Sequence, residues 1–124
     1  MNKTTALVAF LGSLALPLKA QTTKWTPLNT ALAVSSTAGL IMDWSLTVNG
    51  IRTPGTYEFN PLLGLHPSLL RLNVYFTTVI GGNLLLAKYL PNPWRNLALA
   101  VMTTVEVVAV RHNFGLGLHL GLPF

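Results

Sequence analysis

The chain has 124 residues, of which 51% are hydrophobic and only 9% are charged, and its formal net charge is +5. A soluble domain carries about 25% charged residues, so this composition excludes an ordinary water-exposed surface and predicts a membrane protein. The eight Lys and Arg residues are dispersed and form no basic run, which excludes a nucleic-acid-binding patch. The chain has no cysteine, which excludes disulfides and thiolate metal sites.

The first 20 residues have the pattern of a secretory signal peptide. Lys3 precedes an apolar run of about 13 residues, and Ala20 supplies a small residue at its end. The run is shorter than the roughly 20 residues that a spanning helix needs. We interpret residues 1–20 as a signal peptide or, alternatively, as a short N-terminal hydrophobic helix. Residues 21–124 then form a single transmembrane domain.

Three later segments are long and apolar enough to form spanning helices, at about residues 28–48, 68–90 and 94–112. The tight turn "PNP" between the last two predicts that they are antiparallel neighbours. Gly81 and Gly82 predict a close contact between helices, because small residues let two backbones approach. The fold class that follows is all-α: an integral membrane helical bundle with three transmembrane helices after the signal-like segment.

The first predicted helix carries a polar stripe. Asn29, Ser36, Asp43 and Thr47 fall within a narrow sector when each residue advances the helix by about 100°. Polar side chains in a membrane face protein rather than lipid. The stripe therefore predicts hydrogen bonds to neighbouring helices.

The three acidic residues of the chain fall in one half of the predicted bundle. Asp43 and Glu106 lie inside spans, where burying a charge costs about 2.5–3.5 kcal/mol or more. At a rise of 1.5 Å per residue, Asp43 lies about 8 Å and Glu106 about 10 Å below the boundary that carries the connection 49–67. That connection holds Glu58. We therefore predict that the three carboxyl groups converge at one mouth of the bundle.

A candidate polar site collects the charged, amide and imidazole side chains near this mouth. Its members are Asp43, Glu58, Asn60, His66, Arg71, Glu106, Arg111 and His112. Carboxylate and imidazole groups suit a metal ion such as zinc, iron or manganese, and intramembrane carboxyl groups also carry protons. Recognition of a lipid headgroup by Arg71 and Arg111 is a further possibility. The sequence has no compact metal-ligand spacing, catalytic triad or cofactor-binding fingerprint, so it identifies no cofactor and leaves metal binding and catalysis open.

Residues 43–67 resemble a pattern in small, uncharacterised bacterial and phage inner-membrane proteins, in which D-x3-T near a helix end precedes E-x-N-P-[LM]-x-G. The matching residues are Asp43, Thr47, Glu58, Asn60, Pro61, Leu62 and Gly64. The resemblance covers about a fifth of the chain. It implies a small multi-span protein of the bacterial inner membrane and singles out Asp43 and Glu58, but it implies no activity.

The leading functional hypothesis is a non-catalytic membrane component or accessory subunit. Its partners would be the lipid bilayer and either further copies of itself or a larger membrane complex, and not nucleic acid. Two alternatives stay open: a small membrane enzyme or metal or proton site that uses Asp43, Glu58 and Glu106, and a holin-like phage membrane protein. Basic residues are divided evenly between the two predicted sides, so they do not fix the orientation. The signal-like segment favours a cytoplasmic mouth.

Overall fold

The computed structural model describes residues 24–124, and the predicted signal segment lies outside them. This part of the chain contains three helices and no strand: α1 (Pro27–Arg52), α2 (Leu69–Tyr89) and α3 (Trp94–Gly115). Each helix is long and apolar enough to cross a membrane. The prediction of an all-α bundle with three such helices is confirmed.

The start of α1 is fixed by a reciprocal cap. The Thr26 hydroxyl accepts a hydrogen bond from the Asn29 backbone N–H (3.2 Å), and the Asn29 side chain accepts one from the Thr26 N–H (2.9 Å). Pro27, at the first helical position, needs no hydrogen-bond partner for its nitrogen. The helix continues to Arg52, four residues beyond the predicted span. Its 26 residues extend about 39 Å, which is longer than the hydrocarbon core of a bilayer.

The central helix of the bundle is α1, which packs against both α2 and α3, whereas α2 and α3 touch each other less. A small apolar core of Leu63, Leu72 and Phe76 forms at the end that carries the α1–α2 connection. The Trp44 ring stacks on Phe76 with 6.0 Å between centroids. Many large apolar side chains elsewhere are exposed, as expected for faces that contact lipid.

The polar stripe of α1 faces the other helices, as its sector predicted. Asn29 and Ser36 are 0% exposed and Thr47 is 6% exposed. The Asn83 amide of α2 donates to the Ser36 hydroxyl (2.9 Å) and the Thr37 hydroxyl (3.1 Å). The stripe therefore joins α1 to its neighbours through side-chain hydrogen bonds.

The predicted helix contact at Gly81 and Gly82 is wrong within the described part of the chain. A Cβ added at either position would meet no atom within 4 Å. The reason is angular: Asn83 points towards α1, and Gly81, two positions earlier, lies about 200° away around α2. The close approach instead occurs at Gly39 of α1, where a Cβ would lie 2.6 Å from the Cβ of Glu106 in α3.

The tail after α3, residues 116–124, turns back and runs beside α1 and α2. Ser45 exchanges two hydrogen bonds with Gly121, one from the Gly121 N–H (3.0 Å) and one from the Ser45 hydroxyl (2.7 Å). Arg52 and Asn73 donate side-chain hydrogen bonds to main-chain oxygens of the last three residues. Side chains of two helices thus hold an extended segment against the bundle.

Candidate functional site

The connection between α1 and α2 is held in shape by Asn60. The Asn60 side chain accepts from the Leu62 N–H (3.0 Å) and donates to the Tyr75 hydroxyl of α2 (2.8 Å). The main-chain oxygen of Asn60 accepts from the N–H groups of Leu63 and Gly64, which closes a turn. Leu63 is 1% exposed, so this turn is anchored in the apolar core.

Glu58 is fixed by the same connection. Its carboxylate accepts a hydrogen bond from the Asn60 N–H (2.8 Å), and its own N–H donates to the Leu65 oxygen (3.2 Å). The side chain is half-buried. The loop therefore presents the carboxylate towards the helices.

A cavity of about 250 Å³ lies beneath this connection, and all three acidic residues line it. Asp43 reaches it from α1, Glu58 from the connection and Glu106 from α3. We refer to it as the acid cavity. Its other polar lining residues are Thr47, Asn60, Tyr75 and Asn113. Among the described residues, no Lys, Arg or His lines it, and it is large and polar enough to hold several water molecules.

Asp43 has hydrogen-bond partners from within the bundle. The Asn113 amide of α3 donates to the Asp43 carboxylate (2.7 Å), and the Thr47 hydroxyl, one turn along α1, is a second partner. Each partner is a neutral group. Asp43 is therefore held in position, and these two contacts supply no opposite charge.

Glu106 is the most buried of the three acids, with 6% of its surface exposed. Its Oε2 atom has no hydrogen-bond partner among residues 24–124. A buried polar atom without a partner costs about 1–3 kcal/mol, and more when it is charged. An acidic residue buried in this way in a long apolar helix is a candidate functional residue.

The two candidate histidines lie outside the acid cavity. His66 lines a neighbouring cavity of about 90 Å³ that shares Glu58, and its ring meets the edge of Tyr57 at 5.2 Å. His112 contacts the Phe59 ring at 5.7 Å. No group of three His, Asp or Glu residues in the described part of the chain is placed to hold a metal ion. The geometry therefore gives no support to the metal site.

The two candidate arginines also lie outside the acid cavity. Arg71 donates to the main-chain oxygen of Leu62 (2.9 Å), which further braces the connection. Arg111 is exposed and lines a groove on the outer side of α1 and α3. Of the eight candidate residues, the structure thus brings together Asp43, Glu58, Asn60 and Glu106.

Sequence reasoning did not assign Asn113 and Tyr75 to the site. Asn113 lies seven positions after Glu106, which is two helical turns and so the same face of α3. That spacing is a signal for Asn113. Tyr75 reaches the cavity through the packing of α2 against the connection, and its sequence neighbourhood carries no such signal.

A second polar cluster, which we call the arginine cluster, lies at the opposite end of the bundle. Arg95 is 1% exposed, although its position near a span end predicts only a flanking basic residue. Its guanidinium donates to the Asn29 side chain (3.1 Å) and the Lys24 main-chain oxygen (3.5 Å). It also lies 5.1 Å from the centre of the Trp25 ring, within range of a cation–π interaction.

Three amides complete the arginine cluster. Asn29 donates to the side-chain oxygens of Asn92 (3.0 Å) and Asn96. Asn92 in turn donates to the Lys24 main-chain oxygen (2.9 Å). This network ties the start of α1 to the turn before α3.

Comparison with protein-family models, with curated proteins and with solved structures found no match for this chain.

Proposed function

We propose that this is a non-catalytic, multi-pass protein of the bacterial inner membrane that takes up protons or hydrated monovalent cations in the acid cavity. One observation carries the proposal: three carboxyl groups line one cavity, and no basic side chain of the described residues lines it with them.

The electrostatics of the acid cavity favour an exchangeable positive charge. Three negative charges around one cavity in a low-dielectric bundle repel each other strongly. A proton or a cation relieves that repulsion, and the neutral partners of Asp43 do not. Its polar lining groups are carboxylates, amides and hydroxyls, which are hard oxygen donors that suit protons and hard cations.

The size of the acid cavity favours a hydrated species over a tightly caged ion. At about 250 Å³, the cavity exceeds the space of one water molecule several times over. Water in this space would bridge carboxyl groups that do not touch each other directly. The acid cavity is therefore better suited to a proton or to an ion that keeps part of its water shell.

An infrared titration tests this proposal. The protein is reconstituted in phosphatidylcholine vesicles, and the carbonyl band of protonated carboxyl groups is followed against pH with and without sodium. We expect a band that responds to both, that weakens in Glu106→Gln or Asp43→Asn, and that disappears in the variant with all three acids replaced by amides.

Arg111→Gln is the control, because Arg111 is exposed at the same mouth and does not line the acid cavity, so the band should stay unchanged. Carboxyl groups that all titrate like free glutamate in water, indifferent to sodium, would contradict the proposal.

A second proposal concerns assembly, and the open face of α2 supports it. Gly81 and Gly82 have no neighbour within 4 Å of an added Cβ, and small residues on a lipid-facing helix favour contact with another helix. We propose that this face binds a second membrane helix. When both glycines are replaced with leucine, the added Cβ atoms meet no atom of the monomer within 4 Å. A loss of the larger species by native mass spectrometry in mild detergent would therefore support assembly. A monomer before and after the change would contradict it.

A further inference from the structure

A small cavity, which we call the mouth cavity, adjoins the acid cavity at the end of the bundle that carries the α1–α2 connection. Its volume is about 90 Å³, which is enough for a few water molecules. The two cavities share three lining residues, which are Thr47 of α1, Glu58 of the connection and Asn113 of α3. The two spaces therefore meet at polar side chains.

The connection places His66 and Glu58 around the mouth cavity. The Glu58 N–H donates to the Leu65 main-chain oxygen (3.2 Å), which joins the two arms of the connection. The rings of Tyr57 and His66 pack edge to face across these arms, with 5.2 Å between their centroids. His66 is exposed, whereas Glu58 is half-buried and lines both cavities. A titratable group that is open to water thus lines the same small cavity as a carboxyl group that reaches the acid cavity.

The titratable side chains that line the mouth cavity come from the connection alone, and they are Tyr57, Glu58 and His66. The first and third helices and the tail contribute apolar, hydroxyl and amide groups. No Lys or Arg among residues 24–124 lines the mouth cavity, so no fixed positive charge on its wall opposes the arrival of a proton.

The acids continue this series of titratable groups into the bundle. Asp43 lies within electrostatic range of both Glu58 and Glu106. Asp43 is half-buried and Glu106 is 6% exposed. The series therefore runs from water at His66 to the interior of the bundle at Glu106.

The exposed part of the acid cavity's own wall has no comparable series. Within the described part of the chain, its exposed lining residues are Phe59 and Val105, which are apolar and carry no group that binds a proton. Val105 belongs to α3, which is long and apolar enough to cross a membrane, so its exposed face is suited to lipid. The mouth cavity is therefore the side on which titratable groups lead from water to the acids.

We propose that protons enter the acid cavity through the mouth cavity and that His66 transfers them to Glu58. The inference rests on the proposed function, because it names the entrance to the same acid cavity and the species that uses it. Imidazole gains and loses a proton near neutral pH, so it can collect a proton from dilute solution and release it again.

The proposed transfer has two steps. The His66 imidazolium gives a proton to a water molecule in the mouth cavity, and that water gives one of its own to the Glu58 carboxylate, which becomes a neutral carboxyl group. The neutral imidazole then takes a proton from bulk water and returns to its starting state.

A light-triggered drop in pH tests the inference. The protein is placed in phosphatidylcholine nanodiscs, which leave both ends of the bundle open to solution, and a caged acid releases protons on a laser flash. The carbonyl band of the protonated carboxyl groups is then followed in time. Its final amplitude reports the acid cavity, and its rate of rise reports the entrance.

Two variants should slow the rise and leave the final amplitude unchanged. His66→Gln removes the titratable ring and should slow the rise by about tenfold. Imidazole added to the buffer should restore the rate, because a free base in solution replaces the missing one. Leu65→Trp adds bulk at an exposed residue that lines the mouth cavity, so it should also slow the rise, and imidazole should not restore it.

Each variant has a matched control at the same end of the bundle. His112→Gln removes an exposed histidine that lines neither cavity. Leu62→Trp adds the same bulk at an exposed leucine of the connection that lines neither cavity. Both controls should keep the native rate, and thermal melts of all four variants establish that they remain folded.

The outcomes separate the entrance from the site. A native rate in folded His66→Gln or Leu65→Trp overturns the inference and leaves the acid cavity as a proton or cation site. The same holds if imidazole fails to restore the rate of His66→Gln, or if His112→Gln is slowed equally. A native protein whose band does not respond to pH removes the proposed function, and the inference with it.

Discussion

The two ends of the bundle bury polar and charged side chains in different ways. In the arginine cluster, Arg95 and Asn29 are 1% and 0% exposed and hydrogen-bond directly to each other. In the acid cavity, Asp43, Glu58 and Glu106 border open space of about 250 Å³. Protein groups fill the arginine cluster, whereas the acid cavity has space for a bound species.

This difference separates Arg95, which protein groups surround, from Glu106, which is a candidate functional residue. Burial alone does not, because Arg95 is more buried than Glu106. Arg95 reaches an amide, a main-chain oxygen and an aromatic ring at once. Glu106 lines the acid cavity and keeps an acceptor atom unpaired among the described residues. The cavity that the three acids line is what distinguishes the candidate site.

The largest expected effect comes from breaking the arginine cluster. Arg95→Met keeps the length of the side chain but leaves Asn29 and the Lys24 oxygen without a charged donor. We expect a loss of about 3 kcal/mol in the free energy of unfolding, measured by denaturation in mild detergent. Lys88→Met is the control, since Lys88 is exposed and should change stability by less than about 0.5 kcal/mol. Equal stability of the two variants would show that Arg95 is not structural.

A smaller effect is expected where α1 and α3 approach most closely. Gly39→Ala places a Cβ 2.6 Å from the Glu106 Cβ, so the helices must move apart. We expect a loss of about 1–3 kcal/mol and a shift of the carboxyl infrared band, because Glu106 moves with α3. Gly81→Ala is the matched control and should destabilise neither the fold nor the band, since its Cβ meets nothing. An unshifted band in Gly39→Ala would separate the helix contact from the acid cavity.

The smallest effect concerns the connection that carries Glu58. Tyr75→Phe removes the hydroxyl that accepts from the Asn60 amide, at a cost of about 1 kcal/mol. We expect faster hydrogen exchange across residues 58–64, measured by mass spectrometry. Tyr89→Phe is the control, because Tyr89 is 66% exposed at the far end of α2. Identical exchange in the two variants would mean that Tyr75 does not anchor the connection.

The helical positions of the acids were enough to predict much of the acid cavity. A helix has a fixed rise and angle per residue, so the depth of Asp43 and Glu106 and the facing of the polar stripe follow from one segment at a time. The partners do not follow in this way. Tyr75 of α2 contacts the connection because of the tertiary packing of helices and loops. The periodicity of a single helix does not predict that packing.

The same limit explains why the sequence did not predict the surroundings of Gly81 and Gly82 or the burial of Arg95. Gly81 and Gly82 predicted a helix contact from composition, but the direction in which α2 presents them depends on its rotation about its own axis. The burial of Arg95 was not predicted, because its acceptors are the main-chain oxygen of Lys24 and the Asn29 side chain, which are distant from it in the sequence. Main-chain acceptors are present at every position, so a sequence does not reveal which of them an arginine will reach.

The tail that folds back along α1 explains why several polar residues lie in the helices. An extended backbone has no internal ladder, so near lipid its carbonyl and amide groups need substitutes for water. The tail receives such hydrogen bonds from the side chains of Ser45, Arg52 and Asn73, which donate to its main-chain oxygens. The Asn49 side chain accepts a hydrogen bond from the N–H of residue 119. These four side chains therefore stabilise the fold. The polar groups that remain available to bind a ligand are fewer than the composition of the helices implies.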